Sequence, residues 1–288
     1  MPTFDTPEPI SATIDLVLGS VRVSAGDRDA TVVEVAPSDA SNDEDRRAAD
    51  QTRVELVDDR LLVKAPKLRS WWSRTGGGSI DVTIQLPSGS HLHAVVGSAD
   101  VHGTGRLGDC RIKTGVGHIQ LQDTGVLSLK SGSGDITVEC VTGHADVIAG
   151  SGDVRLRELG GTAVVKNSNG DTWIGDANDE LRVRAANGDI AVGRARAGVG
   201  AKSANGDVRL DEVVQGSVVL ETQVGDLEVG IREGTAAWLD VSATAGKVRN
   251  TLDAAGNPDP SVATVRVRAR TSIGEIVIRR PSGAIHER

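Results

Sequence analysis

The sequence predicts an all-β protein, a single-stranded parallel β-helix or β-solenoid with about 18 residues per coil. Three observations predict it. A glycine-containing turn returns at a fixed spacing, and short runs of alternating apolar residues follow each turn. The 288 residues include 35 Gly, one Phe and no Tyr, so small branched side chains must fill a narrow core.

The repeated turn consists of a small residue, Gly and an acidic residue, and we call its last residue the anchor. Anchors follow one another in steps of 18 at Asp135, Asp153, Asp171, Asp189 and Asp207. The series continues with less regular steps at Asp100, His118, Asp226, Lys247 and Glu275, which makes ten coils. A single coil buries too few apolar side chains to fold alone, so the coils are expected to stack on one another.

Apolar residues occupy the first and third positions after most anchors, as in Ile190 and Val192. Others lie six and eight positions before the anchors, as in Val183 and Leu181. This alternation is the signature of strands, and it predicts two strands per coil. The same rule places Leu239 and Val248 in the core.

The coils are predicted to form one elongated domain over residues 10–280, after a lead-in at 1–9 and before a tail at 281–288. Residues 10–97 read as irregular first coils with an insertion at 38–51. Ser41 and Glu44 have capping-box spacing there, which predicts a short surface helix. Residues 98–280 read as regular coils with a loop insertion at 253–262, rich in Asp, Gly and Pro.

Composition and charge exclude several classes of function. The net charge of −8 opposes nonspecific binding to nucleic acid. No apolar run is long enough to span a membrane, and the N-terminus shows no secretory signal, so a cytoplasmic protein is expected. Cys110 and Cys140 form no metal-ligand motif, and no cofactor is expected.

The acidic anchors have two interpretations. Stacked carboxylates could bind Ca²⁺, but the nonapeptide motif of calcium-binding repeat proteins is missing. The favoured interpretation is structural: each Asp or Asn forms hydrogen bonds with turn backbone.

A row of cations five residues before the anchors is a candidate partner surface, and it alternates with core positions, so it points outward. It could dock an anionic partner, or it could simply be a solvated face that prevents lateral sheet pairing. Its members are Lys113, Lys130, Lys166, Arg184, Lys202 and Arg270.

Tryptophan marks two further candidate contacts in this aromatic-poor chain. Trp71 and Trp72 lie among Lys67, Arg69 and Arg74, where they could touch a lipid headgroup layer or a protein, or cap the solenoid. Trp173 is expected to face outward beside Arg155 and Arg209.

Catalytic motifs are missing from the sequence. It contains no nucleophile elbow, Walker loop or His-Glu-x-x-His segment, and its six His are scattered. A protein without enzymatic activity is therefore expected.

The coils from Asp100 to Ile278, with their Ser/Asn-Gly-Asp-apolar-x-apolar pattern, resemble a bacterial family of β-strand-repeat proteins known as putative adhesins. The N-terminal segment PTFDTPEPISATIDLVLGSVRVSAGD is similar to actinobacterial members. The resemblance implies a right-handed coil and a binding or scaffold module of unknown specificity, with a protein or envelope-associated partner. It implies no particular site residues.

Two other functions stay open at this point. The chain could polymerise end to end, like the bactofilin cytoskeletal proteins, if the final strand at 275–278 is left unpaired. Arg279, Arg280 and Pro281 directly after that strand favour a blocked end. It could also act on polysaccharides, as other parallel β-helices do, if acids and bases converge in a groove.

Overall fold

The computed structural model of the chain describes residues 1–66, 78–252 and 263–281. The chain divides into two compact units, Met1–Thr142 and Gly143–Arg288, here called unit 1 and unit 2. Both are built mainly of short strands that pair in parallel between successive coils. The predicted all-β parallel solenoid is therefore confirmed.

Unit 1 contains eleven strands and one helix among its described residues. They are β1 Thr3–Asp5, β2 Ser11–Gly26, β3 Ala30–Pro37, α1 Asp43–Gln51, β4 Arg53–Val57, β5 Arg60–Lys64, β6 Ile80–Pro87, β7 His91–Arg106, β8 Cys110–Val116, β9 Ile119–Thr124, β10 Leu127–Ser133 and β11 Ile136–Val141.

Unit 2 contains fourteen strands among its described residues. They are β12 Ala145–Ser151, β13 Val154–Leu159, β14 Ala163–Asn169, β15 Thr172–Ala177, β16 Leu181–Asn187, β17 Ile190–Ala195, β18 Val199–Asn205, β19 Val208–Val213, β20 Gly216–Val224, β21 Leu227–Ile231, β22 Ala236–Ala245, β23 Val248–Asn250, β24 Thr264–Ile273 and β25 Ile276–Arg279.

Two parallel sheets form unit 2, and each coil supplies one strand to each of them. Sheet A has the spatial order β12, β14, β16, β18, β20, β24, β22. Sheet B has the order β13, β15, β17, β19, β21, β25, β23. Val183 of sheet A and Val192 of sheet B are fully buried, as the apolar alternation predicts.

The last coil of unit 2 does not stack in chain order. Strands β24 and β25 lie between the β20–β21 coil and the β22–β23 coil. The strand at 275–278 is therefore not a free edge on which another copy could pair, because β25 pairs on both sides. Val248 is 44% exposed and Leu239 is half-buried, contrary to prediction, because they belong to the outermost coil of the described residues.

Unit 1 also interleaves a terminal segment of the chain. Strand β2 lies between β7 on one side and β5 with β6 on the other, and all of these pairings are parallel. Beyond them the pairing becomes antiparallel, with β4 on β5, β3 on β6 and β1 on β3. Antiparallel strands thus cover the outer edge of the parallel coils.

The predicted surface helix is confirmed as α1, but its N-cap is Asn42 and not Ser41. The Asn42 side chain accepts a hydrogen bond from the Glu44 N–H at 2.8 Å, while Ser41 bonds Asp39 instead. The buried Asp45 carboxylate accepts the backbone N–H groups of Asp39 and Ser79, which ties the helix to β6.

Each corner of the regular coils is closed by a glycine with positive φ. At Gly188 φ is +127°, and a Cβ there would lie 2.2 Å from the carbonyl oxygen of Gly170 in the preceding coil. Small polar side chains line the inside of the corner: Asn167 donates to the carbonyls of Gly152 and Gly170 at 3.0 and 2.9 Å. Buried backbone carbonyls are satisfied in this way.

Some predictions concern residues outside the described ones. These are the tryptophan segment with Lys67, Arg69, Trp71, Trp72 and Arg74, the loop insertion at 253–262, and all but the first residue of the tail.

Candidate functional site

The predicted row of cations lies on the outward side of sheet A in unit 2. Lys166, Arg184 and Lys202 occupy directly paired positions on β14, β16 and β18. All three are exposed, because they alternate with buried residues along their strands. Parallel strands are about 4.8 Å apart, so the row is a dense line of positive charge.

More cations surround this row than the sequence analysis identified. A second row of outward positions runs across the same strands and contains Arg182 and Arg268. Arg266 also points outward, two positions before Arg268 on β24. The sequence already indicated this second row of cations, because a residue two positions before an outward residue on a strand also points outward. We call the full set the basic face: Lys166, Arg182, Arg184, Lys202, Arg266, Arg268 and Arg270.

Carboxylates neutralise part of the basic face. Glu221 lies between Lys202 and Arg270 in the stack, so a carboxylate interrupts the row of cations there. Lys202 Nζ lies 2.6 Å from Glu221 Oε2, and Asp240 Oδ2 lies 3.1 Å from Arg268 Nε. The intercalated coil sets β24 directly beside β20 and so places Arg270 next to Glu221.

Other members of the basic face keep their charge unpaired. Among the described residues, Lys166, Arg184 and Arg266 form no ion pair with a carboxylate. Three outward acids on these strands, Asp146, Glu221 and Asp240, face seven cations. A fourth acid, Glu180, lies just before β16 with its Oε2 3.6 Å from Arg182 Nη2. Sheet A therefore presents a locally positive surface on a chain with a net charge of −8.

A shallow cleft of about 390 Å³ opens in the basic face at Gly200. Arg182, Arg184 and Lys202 line it, together with Val219 and the carboxylate-bearing Glu180. The cleft exists because residue 200 has no side chain: nothing lies within 4 Å of the position that its Cβ would take. Cationic groups thus surround a space that is open to a ligand.

Unit 1 carries a shorter version of the same feature. Lys113 and Lys130 occupy paired positions on β8 and β10, and both are exposed. Like charges at neighbouring strand positions are destabilising, so their side chains gain from an anionic partner. Their contact with such a partner stays a prediction.

Trp173 faces outward on sheet B and is 43% exposed. Its paired neighbours are Arg155 on one side and Ala191 on the other. The prediction that Trp173 lies beside Arg209 is wrong by one coil. Ala191 lies between them, because it pairs with Trp173 on one side and with Arg209 on the other. A small side chain therefore lies next to the indole ring.

The acidic anchors join each coil to the next. Asp153 Oδ1 accepts the Asp171 N–H at 3.0 Å, and Asp171 Oδ1 accepts the Asp189 N–H at 2.9 Å. Asp207 continues the series with an oxygen that accepts the Asp226 N–H at 2.7 Å. The carboxylates thus bond turn backbone, but in the neighbouring coil and not in their own.

Asparagines two positions before the anchors form a second ladder. The Asn187 side chain donates to Asn169 Oδ1, and the Asn205 side chain donates to Asn187 Oδ1, both at 2.9 Å. In the described parts of the chain, no group of three or more His, Cys, Asp or Glu residues has the geometry to hold a metal ion. Both ladders have a direct structural role because their hydrogen bonds join neighbouring coils.

Three side chains in the described coils have clearly shifted pKa values. Burial is the main cause that raises the pKa of the Cys110 thiol to about 12, with a contribution from the charge of Asp109. Hydrogen bonds to Glu212 and Asp211 raise the pKa of Arg194 and Arg209, respectively. The thiol thus stays protonated and the two arginines stay charged near neutral pH.

The geometry defines a class of protein, the parallel β-solenoid with outward ladders of side chains on its sheets. A family model described as Toastrack DUF4097 matches residues 13–279, and the chain belongs to that family. This confirms the predicted resemblance to a family of β-strand-repeat proteins. Among the described residues, no helix has the length and apolar character needed to cross a membrane.

Solved structures give further, weaker matches. A putative cell adhesion protein from Clostridium sporogenes ATCC 15579 is 11% identical, with 97% of this chain and 98% of that chain covered and a TM-score of 0.27. A putative adhesin from Bacteroides fragilis NCTC 9343 is 13% identical, with 96% and 95% covered and a TM-score of 0.38.

A third solved structure, a putative lipid binding protein from Parabacteroides distasonis ATCC 8503, is 10% identical, with 98% and 94% covered and a TM-score of 0.32. No curated protein matches the chain at a significant level. Because these identities and TM-scores are low, the family assignment rests on the family model.

Proposed function

We propose that this chain is a non-enzymatic, adhesin-like binding module that docks through its basic face onto an anionic lipid surface on the cytoplasmic side of the envelope. One observation carries the proposal: Lys166, Arg184 and Lys202 lie in register on adjacent strands of one sheet. A line of exposed cations on a sheet suits a partner that is itself an extended surface of negative charge.

The expected strength of docking follows from the charges of the basic face. Each Lys or Arg near an anionic leaflet contributes about 1 kcal/mol, and the cytoplasmic leaflet supplies such lipids. Seven cations against four acids, Glu180 included, leave an excess of three, or about 3 kcal/mol. That free energy corresponds to a dissociation constant of roughly 6 mM, so docking is weak and reversible.

The way in which the anchor carboxylates are used supports a non-enzymatic function. Their Oδ1 atoms accept backbone N–H groups of the next coil, as Asp189 Oδ1 does from Asp207 at 2.8 Å. Carboxylates in general acid–base catalysis must exchange protons with a substrate, and a repeated structural hydrogen bond competes with that role.

The tryptophan segment would add to the same function. Trp71 and Trp72 with Lys67, Arg69 and Arg74 combine the residue types that favour the interface between headgroups and water. These residues lie outside the described ones, so their contribution stays a prediction from sequence.

Charge reversal on the basic face tests the proposal. The double variant Lys166→Glu/Arg184→Glu should bind vesicles containing phosphatidylglycerol at least about tenfold more weakly than the wild type, because attraction of about 1 kcal/mol per cation becomes repulsion. Cosedimentation measures the bound fraction. Vesicles of phosphatidylcholine alone should bind neither protein.

The matched control reverses two exposed cations of unit 1 that lie outside the basic face, in Arg47→Glu/Arg60→Glu. It changes the net charge equally and should retain binding close to the wild type. Equal losses in the two double variants would mean that net charge matters and the basic face does not. That outcome would refute the proposed docking surface.

A further inference from the structure

A second cleft, of about 470 Å³, lies beside Trp173 on sheet B of unit 2. Trp173 and Ala191 form its apolar part, and Arg155, Asp171 and Asp189 contribute polar groups at its border. None of these five residues belongs to the basic face, which lies on the other sheet. The volume falls within the range of sites for small ligands.

The local sequence explains why the cleft is open next to an aromatic ring. Ala191 pairs directly with Trp173 and is too small to cover it. Gly175 follows Trp173 on the same side of its strand, and a Cβ at Gly175 would lie only 3.1 Å from the indole Cη2 atom. Glycine therefore lets the ring lie close to its own strand, while the ring stays 43% exposed.

The two carboxylates at the border of the cleft are held in fixed positions. Asp171 Oδ1 accepts the Asp189 N–H at 2.9 Å, and Asp189 Oδ1 accepts the Asp207 N–H at 2.8 Å. Each carboxylate keeps a second oxygen as an acceptor, and among the described residues neither forms an ion pair with Lys or Arg.

A donor completes this set. Arg155 lies on the strand position next to Trp173, and its guanidinium is 3.2 Å from Asp153 Oδ2. That ion pair offsets the positive charge of Arg155. The guanidinium has five N–H groups, so others remain that can donate hydrogen bonds to a ligand. The cleft therefore combines the exposed indole ring of Trp173, two carboxylates held in fixed positions that accept hydrogen bonds, and the N–H groups of the Arg155 guanidinium, which donate them.

We propose that the Trp173 cleft binds a pyranose ring of an uncharged glycan. The C–H face of a pyranose is apolar and can pack on an indole, and its hydroxyl groups both donate and accept hydrogen bonds. Carboxylates and Arg155 match those hydroxyls as acceptors and donors. An anionic ligand would be repelled by Asp171 and Asp189. A cation would be attracted by the same two carboxylates, so the test includes a cation as the competing ligand.

This proposal goes beyond the docking function and does not depend on it. Docking on the basic face is electrostatic and weakens as salt screens the charges. Packing of a neutral sugar on an aromatic ring and its short hydrogen bonds change little with salt. Failure of one proposal therefore leaves the other untouched.

Saturation-transfer difference NMR on the full chain tests the cleft. The probes are tetrasaccharides of glucose, galactose and N-acetylglucosamine, each measured separately at high salt. At least one should show transfer to its ring C–H protons in the wild type. The signal should fall at least about tenfold in Trp173→Ala, since an aromatic anchor dominates such small contacts.

Two further variants keep the test decisive. Ala191→Leu retains the indole but fills the space beside it, and it should also abolish the transfer. Trp238→Ala removes another exposed tryptophan, 59% exposed on β22 of sheet A, and should behave as the wild type. Circular dichroism verifies that each variant is folded.

Several results would overturn the proposal. They are the absence of transfer to any of the three sugars in the wild type, equal transfer in Trp173→Ala, and loss of transfer in Trp238→Ala alone. Saturable binding of tetramethylammonium in place of the sugars would also overturn it, because that would identify the cleft as a site for cations.

Discussion

At the scale of single residues, the corner glycines are the positions at which the backbone tolerates least change. At Gly188 two effects act together: the positive φ disfavours a side chain, and a Cβ would lie 2.2 Å from the Gly170 oxygen. Gly200 lies on a flat stretch of strand and has no neighbour within 4 Å of its Cβ position. The same amino acid therefore has opposite roles twelve residues apart.

Substitution by alanine should separate these roles. Gly188→Ala should lower the free energy of unfolding by at least about 2 kcal/mol, because it forces a strained backbone region and a clash with a neighbouring coil. Gly200→Ala should be neutral or stabilising by about 0.5 kcal/mol, since alanine loses less entropy in a strand. Urea denaturation of both variants measures the difference, and equal midpoints would contradict the assigned corner.

The residue-scale features could be predicted to the extent that they repeat. The corner turn, the buried positions such as Val183, and the outward direction of Lys166 and Arg184 all follow from the spacing of 18 and the alternation of two. The partner of each anchor carboxylate could not be predicted. It lies in the neighbouring coil, and the sequence pattern describes only the coil that contains it.

At the scale of secondary-structure elements, the main finding is the intercalation of β24 and β25. They pair with β20 and β21 on one side and with β22 and β23 on the other. All of these strands have the same alternation, so the sequence does not distinguish pairing in chain order from pairing with a later coil. The consequence for the candidate site is direct, because Arg268 and Arg270 lie beside Val219 and Glu221 only in the intercalated order.

Cysteine pairs test this order. Val219 and Arg268 are directly paired outward residues on β20 and β24, so Val219→Cys/Arg268→Cys places the two Cα atoms about 5 Å apart. That distance allows a disulfide. Peptide mapping after mild oxidation should therefore identify this bond.

The comparison pair is Val219→Cys/Asp240→Cys. Asp240 pairs with Arg268 and not with Val219, so the two Cα atoms should be about 9.6 Å apart, two strand spacings. No disulfide should form at that separation. Cross-linking of the second pair instead of the first would show that the coils stack in chain order.

At the scale of the whole molecule, the distribution of charge matters more than its sum. The net charge of −8 opposes binding to nucleic acid in general, but it conceals a sheet on which seven cations face four acids, Glu180 included. The row at Lys166, Arg184 and Lys202 was visible in the sequence. The cleft at Gly200 was not visible in the sequence, because a glycine on a strand leaves a cleft only if the paired residues on the neighbouring strands do not fill the space.

The choice between docking and assembly through the solenoid ends also belongs to this scale. In unit 2 the outermost coil of the described residues is β22–β23, and in unit 1 the outer coil is covered by antiparallel strands. The strand first considered as a template for another copy, β25, is internal to its sheet.

The salt dependence of wild-type binding to vesicles containing phosphatidylglycerol tests the account most directly. Raising the salt from about 0.1 M to about 1 M shortens the screening length from about 10 Å to about 3 Å. If the basic face docks on anionic lipid, the affinity for these vesicles should fall at least tenfold over this range. The protein should not bind neutral vesicles at either salt concentration. An affinity that is unchanged by salt, or equal on neutral vesicles, would contradict it.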